Sequence, residues 1–267
     1  MLEVFRLPFM QYALIATSFI AALCAFLGVY VVLKRIVFVT AALAQISTAG
    51  VAVAFLFGLN PTITSLAITA CAVALLAFAS FGEKIPQDSI LGISYVSAFA
   101  LGVLFISKSA QGLEELQHLL QGNILTITAG QITWLAITFS VIALIHLLYY
   151  KEFMFVSFDA EMAQTQGYRV RFWNLLLYLT IGVVISLGIK VSGVLLIFGF
   201  LVIPAAIALM LVRNMKLIFA IAIVLSLVSV VCGLYFSFEL DLPSGPTIVA
   251  VLFALLLIAI GLRAARR

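Results

Sequence analysis

Lys151–Arg171 reads KEFMFVSFDAEMAQTQGYRVR and is the longest strongly polar interruption between the apolar runs of this chain. It carries six of the 24 charged side chains. Within it the residues predict a short helix with both ends marked. Asp159 is placed to cap the N-terminus, because its carboxylate can accept from the free amides of a first turn. Glu161 puts negative charge beside the positive end of the helix dipole. Gly167 can adopt the left-handed conformation that closes a helix. A helix of about two turns at 159–166 is too polar to insert in lipid and too short to hold alone. It must rest on something, and the reading is that it docks on a partner protein.

The runs on either side of this stretch set the fold class. Of 267 residues, 66% are hydrophobic and only 9% charged, where a soluble domain carries roughly 25% charged residues. Too few polar side chains remain to cover a water-facing surface. The apolar runs are too long for barrel strands and lack their alternation. The expectation is an all-α, polytopic membrane helix bundle, a single transmembrane domain over 1–267 interrupted by the polar segment at 151–171.

Taken in order, Arg6 and Lys34 bracket 27 uncharged residues, enough for a first tilted span. A further 47 uncharged residues run from Ile36 to the one before Glu83. Asn60-Pro61 divides them into helices near 36–59 and 61–81, since proline ends one helix and starts the next. A fourth helix is expected at 89–107, a fifth at 131–150, then 172–190, 191–212, 217–237 and 246–262. That makes nine, or eight if Gly188 to Gly193 is a bend inside one span. No removable leader is visible at the start.

Basic residues set the orientation. With nine helices and the N-terminus outside, one face receives Lys34, Arg35, Lys84, Lys151, Arg169, Arg171, Arg213, Lys216, Arg263, Arg266 and Arg267. The other receives Arg6, Lys108 and Lys190. Eleven against three places the capped helix and the C-terminus in the cytoplasm. The net charge of +4 fits this bias and is no sign of nucleic-acid binding.

Few residues offer chemistry. The helix FVTAALAQISTAGVAVAF, 38–55, carries Ala41, Ala44, Gln45, Thr48 and Ala52 at helical spacing, a small and mildly polar face. It reads first as close helix packing through small residues and second as a pathway lined by Gln45 and Thr48, and the two are compatible. Lys190 reads as a helix-end lysine that snorkels to the surface. His146 reads as interfacial. His118 lies beside Glu114 and Glu115 in the loop KSAQGLEELQHLLQGN, a weak metal-collecting spot or a solvated histidine. Cys24, Cys71 and Cys232 show neither metal nor disulfide spacing. No nucleotide loop, GxSxG or HExxH motif is present, and no pair of carboxylates lies within the spans. The chain is expected to be no enzyme, with no cofactor of its own.

Seven stretches then occur in the order of a known family: FMQYALIATSFIAALCAFLGVYVVLKR (9–35), ALAQISTAGVAVAF (42–55), DSILGISYVSAFALGVLFIS (88–107), LLQGNIL (119–125), FDAEMAQTQGY (158–168), KVSGVLLIFGFLVIPAA (190–206) and LDLPSGPTIV (240–249). Together they make the chain resemble the membrane subunit of ABC transporters for zinc, manganese and iron. The resemblance implies a multi-pass protein of a bacterial cytoplasmic membrane, paired with a second permease subunit. It also implies two ATPase subunits, which hold ATP and magnesium, and an extracytoplasmic substrate-binding protein. The segment matching FDAEMAQTQGY is the family's coupling helix, which sits in a groove on the ATPase. The family also places an aspartate and a histidine four residues apart in the second helix. The matching positions here are Ala41 and Gln45, so that metal pair cannot be carried over. The alternative from another class is a stand-alone carrier driven by an ion gradient, which needs titratable groups at mid-membrane.

Overall fold

The computed structural model describes residues 7–78, 87–109 and 127–265, with Gly122 and Ile124. The described residues are helices joined by short turns, with no strand among them. In chain order the helices are α1 (Pro8–Leu33), α2 (Val37–Phe57), α3 (Pro61–Phe78), α4 (Gln87–Ser107), α5 (Ala129–Leu148), α6 (Tyr150–Phe158), α7 (Ala160–Thr165), α8 (Val170–Leu211), α9 (Met215–Glu239) and α10 (Ser244–Ala265). The loop that holds Glu114, Glu115 and His118 lies outside the described residues, as do Arg6, Lys84, Arg266 and Arg267.

Seven of these helices are long and apolar enough to cross a bilayer, and α3 is a shorter apolar helix. Their outer faces carry bare apolar side chains such as Phe57, Ile63, Trp134, Leu148 and Phe253. Exposure on that scale suits a lipid-facing surface and would be an aggregation liability in water.

The helix boundaries follow local chemistry. Asn60 caps α3, its Oδ1 accepting from the amides of Thr62 at 3.0 Å and Ile63 at 3.4 Å. Pro61 stands at the first helical position, where its missing N–H costs nothing. Asn214 caps α9 in the same way, accepting from the Lys216 amide at 3.0 Å. Gly58 closes α2 in the left-handed conformation.

The expected helices at 172–190 and 191–212 run together as α8, 42 residues interrupted at Gly193. Gly193 has φ 77 and ψ 162, far from helical values. A left-handed φ is open to glycine because it has no Cβ.

The chain divides into two compact units. One takes residues from 1–32, 121–143 and 191–267. Within it α9 packs on α10. Gly233 meets Ile248 so closely that a Cβ would lie 2.7 Å from its Cα, and Gly28 lies against the backbone of Leu201. Phe26, Tyr30 and Phe219 form an aromatic cluster with centroids 4.9 to 5.7 Å apart.

The other unit takes residues from 33–120 and 144–190. In it α2 packs on α3 and α4. Glycine allows the close approach: a Cβ on Gly50 would lie 2.8 Å from the Ser65 Cα. Four buried hydroxyls stitch α2, α3 and α8 together. Ser47 Oγ lies 2.7 Å from Ser65 Oγ and 3.1 Å from Ser186 Oγ, and Ser186 Oγ donates to Thr69 Oγ1 at 3.0 Å. Each such bond between membrane helices contributes about 0.6 kcal/mol on average. The capped segment and the Gln45 face both belong to this unit.

Candidate functional site

The capped helix forms as its residues predict. Asp159 has extended backbone angles, and its Oδ1 accepts from the Met162 amide at 2.9 Å. Glu161 stands in the first turn. At the other end Gly167 has φ 86. The Gly167 amide donates to the Gln164 carbonyl at 3.1 Å, and the Tyr168 amide reaches back to Ala163 at 3.0 Å. These two bonds together are a Schellman closure, with glycine at its left-handed position.

The surroundings differ from expectation in one respect. The residues before Asp159 in this polar stretch form a further helix, α6, whose Phe153, Met154 and Val156 are buried. Alternation of apolar and polar side chains at helical spacing in YKEFMFVSF was the available signal. The short helix therefore rests first on its own chain. Ala163 is fully buried. Tyr168 packs edge-on against Phe155, with centroids 5.4 Å apart. The opposite face stays open: Glu161, Met162, Gln164 and Thr165 are exposed, as is Phe158 just before the cap. Met162 is 53% exposed and Phe158 61%. Four residues apart, they put an apolar pair on a polar segment.

α6 is fastened to the membrane helices at two points. Phe153 stacks on the His146 ring of α5 at 4.1 Å and meets Trp173 of α8 edge-on at 5.3 Å. His146 is fully buried, and its Nε2 lies 3.0 Å from Thr180 Oγ1. His146 stands in the last turn of α5, near the helix end as read from the sequence, with its ring packed against protein. The second fastening is Lys34, in the turn between α1 and α2. Its Nζ donates to the Val156 carbonyl at 3.0 Å and to Asn174 Oδ1 at 2.9 Å. Burial lowers its pKa to about 8.

The second predicted site lies on α2. Gln45 and Thr48 are both buried, at 6% and 4% exposure. Thr48 donates its proton to the Ala44 carbonyl of its own helix at 2.9 Å. Among the described residues Gln45 Oε1 has no hydrogen-bond partner. An unpaired buried amide oxygen costs roughly 1–3 kcal/mol, which calls for an explanation. Among the described residues no group of three or more His, Cys, Asp or Glu side chains could hold a metal ion. Lys190 is exposed. The α2 pair and the capped helix lie on separate elements; Lys34, which sequence reasoning passed over, precedes α2 and bonds to α6 and α8.

The ABC 3 transport family matches residues 6–263, nearly the whole length. The chain belongs to the ABC 3 transport family. Among individual relatives it is 30% identical over 252 residues to the manganese transport system membrane protein MntC of Listeria monocytogenes, covering 94% of this chain and 89% of that one. It is likewise 30% identical over 254 residues to the chelated iron transport system membrane protein YfeD of Yersinia pestis, covering 93% and 84%. The fold matches that of PsaBC from Streptococcus pneumoniae, solved in complex with Fab, with a TM-score of 0.87 at 24% identity over 97% of this chain and 93% of that one. The membership expected from the seven ordered stretches therefore holds, and this ABC 3 family chain shares its helical fold with a solved relative.

Proposed function

We propose that this ABC 3 family chain is the transmembrane subunit of an ATP-driven importer of a divalent transition metal ion, manganese or iron before zinc. The observation that carries the coupling role is α7: a six-residue helix capped at both ends, backed by its own chain, with an exposed face that includes Met162 and Glu161. A segment so preformed presents a fixed shape to a partner at little ordering cost. The partner is a pair of ATPase subunits that hold ATP and magnesium. Binding of ATP closes that pair and displaces α7, and the bundle rocks between outward and inward openings. The rest of the assembly is a second permease subunit and an extracytoplasmic binding protein, in a bacterial cytoplasmic membrane. The relatives' names supply the cargo class.

The nine-span reading gains support from α8. At about 1.5 Å per residue its 42 residues would reach about 63 Å, twice a hydrocarbon core of about 30 Å. Broken at Gly193 it supplies two spans. Counting it so, and adding α3 to the seven long helices, gives nine, with the C-terminus and α7 on the cytoplasmic side.

The pathway is lined by Gln45 and Thr48 on α2. The unpartnered Gln45 oxygen is a neutral ligand for a passing ion, and Thr48 keeps lone pairs free beyond the bond to Ala44. Neither holds an ion tightly, which suits transit. A gradient-driven carrier is disfavoured because the described spans place charged residues only near their ends or beside the Gly193 break.

The test is Gly167. No atom lies within 4 Å of a Cβ built there, so only the backbone resists substitution. Gly167→Val should uncouple ATP hydrolysis from uptake, while Gly167→Asn, which tolerates the left-handed conformation, should keep it coupled. Normal uptake by the valine variant would refute the coupling role of α7.

A further inference from the structure

The hinge between α6 and α7 is held by a side chain far away in sequence. Val156 lies in the last turn of α6, where carbonyls lack partners inside the helix. Asp159, three residues on, ends α6 and caps α7. Lys34, separated from Val156 by 122 positions, supplies the missing donor at 3.0 Å. A cation at this end of a helix also suits the dipole. The same Nζ donates to Asn174 near the start of α8 at 2.9 Å. One ammonium thus joins both helices that flank the capped segment.

Lys34 is itself held in an unusual turn. Its neighbour Arg35 has φ 58, a left-handed conformation that crowds the Cβ of a non-glycine residue. The next residue, Ile36, is the N-cap of α2. Gln45 follows on the same helix, and Ser47 ties it to Ser65 and Ser186. A displacement of the hinge therefore has a direct mechanical path to α2 through one side chain and one strained turn.

We propose that Lys34 is a positioning residue of the transport cycle, the strut by which the α6–α7 hinge moves helix α2 and its Gln45 face. The proposal rests on the coupling role of α7 given above. Its consequence is that loss of the strut separates motion at the ATPase from motion at the pathway. The ratio of ions carried to ATP consumed falls, which is not what a loss of stability alone produces.

The experiment uses the complete complex in proteoliposomes, with ATPase subunits, second permease subunit and binding protein, and manganese(II) as the probe. Uptake and ATP hydrolysis are measured together for wild type, Lys34→Met, Lys34→Arg and Asn174→Leu. Lys34→Met should lower manganese carried per ATP by roughly fivefold or more, the lower end of typical coupling between sites. Asn174→Leu should lower it less, since the bond to Val156 survives. Lys34→Arg, whose guanidinium can still donate to both acceptors, should restore the ratio. A wild-type ratio in assembled Lys34→Met overturns the proposal. Should Lys34→Met fail to assemble, a wild-type ratio in Asn174→Leu overturns it instead. A wild-type complex with no ATP-dependent uptake contradicts the functional reading itself, a separate failure.

Discussion

His146 Nε2 and Thr180 Oγ1 lie 3.0 Å apart, both residues buried between α5 and α8. Thr180 gives its one proton to the Leu177 carbonyl at 2.9 Å. With its proton so placed, the Thr180 oxygen can accept from a His146 tautomer protonated on Nε2; which of the two atoms donates depends on that tautomer. The bond also orients the ring on which Phe153 stacks, and so fastens α6 to the membrane helices. Thr180→Val should leave a buried ring nitrogen without its partner and cost about 1–3 kcal/mol, while Thr180→Ser should be nearly neutral. Thermal unfolding in detergent checks both, and an unchanged midpoint in the valine variant would remove this bond from the account.

The hydroxyl chain on α2 predicts non-additivity. Ser47 bridges Ser65 and Ser186, and Ser186 passes its proton to Thr69. Ser186→Ala should destabilise by about 1 kcal/mol. The double variant with Ser47→Ala should cost less than the two single losses added, because they share a bond. Strict additivity in a double-mutant cycle would show that the four hydroxyls do not act as one network.

Glycines divide into those that hold helices close and those that do not. A Cβ on Gly28 would meet the backbone of Leu201, with the carbonyl carbon at 2.8 Å, whereas one on Gly130 meets nothing within 4 Å. Gly28→Ala should cost about 1–3 kcal/mol by overpacking. Gly130→Ala should be neutral or slightly stabilising, by about 0.4–1 kcal/mol. Equal unfolding midpoints for the two variants would contradict the packing within that unit.

Lys34 predicts a pH dependence. Burial lowers its pKa in the fold to about 8, against 10.5 for the free side chain. The unfolded chain therefore binds this proton more tightly, and stability rises as pH climbs from about 8 to 10.5. Below 8 both states are charged and the full cost of burying the charge is present. Compared with Lys34→Met, which cancels every other titration, wild type should gain stability between pH 7.5 and 9.5. A difference that stays constant across that range would mean the ammonium is not desolvated.

Much of this was legible in the sequence because it is local. Asn60-Pro61 and the pair Asp159 and Gly167 act within three or four residues, so a helix start or stop is written beside itself. Apolar run length set the spans, and seven ordered stretches pointed to the ABC 3 family. What escaped was non-local. Lys34 reads as one of eleven cytoplasmic basic residues until its partners, 122 and 140 positions away, are seen. His146 reads as interfacial because nothing near it in sequence announces Thr180 or the stacked Phe153. α6 escapes because Lys151 and Glu152 read as part of a polar interruption, while Phe153 packs on the distant Trp173. The unpartnered oxygen of Gln45 is a property of its neighbours and has no sequence signal.

The central claim is that transport is driven through α7 by an ATPase, and it is tested most directly in vesicles. The permease chains are reconstituted with the binding protein, with or without the ATPase subunits, and manganese(II) entry is followed on adding ATP and magnesium. Uptake only when the ATPase subunits are present, lost on Gly167→Val, is the predicted result. Concentrative uptake by the permease chains without any ATPase would contradict it.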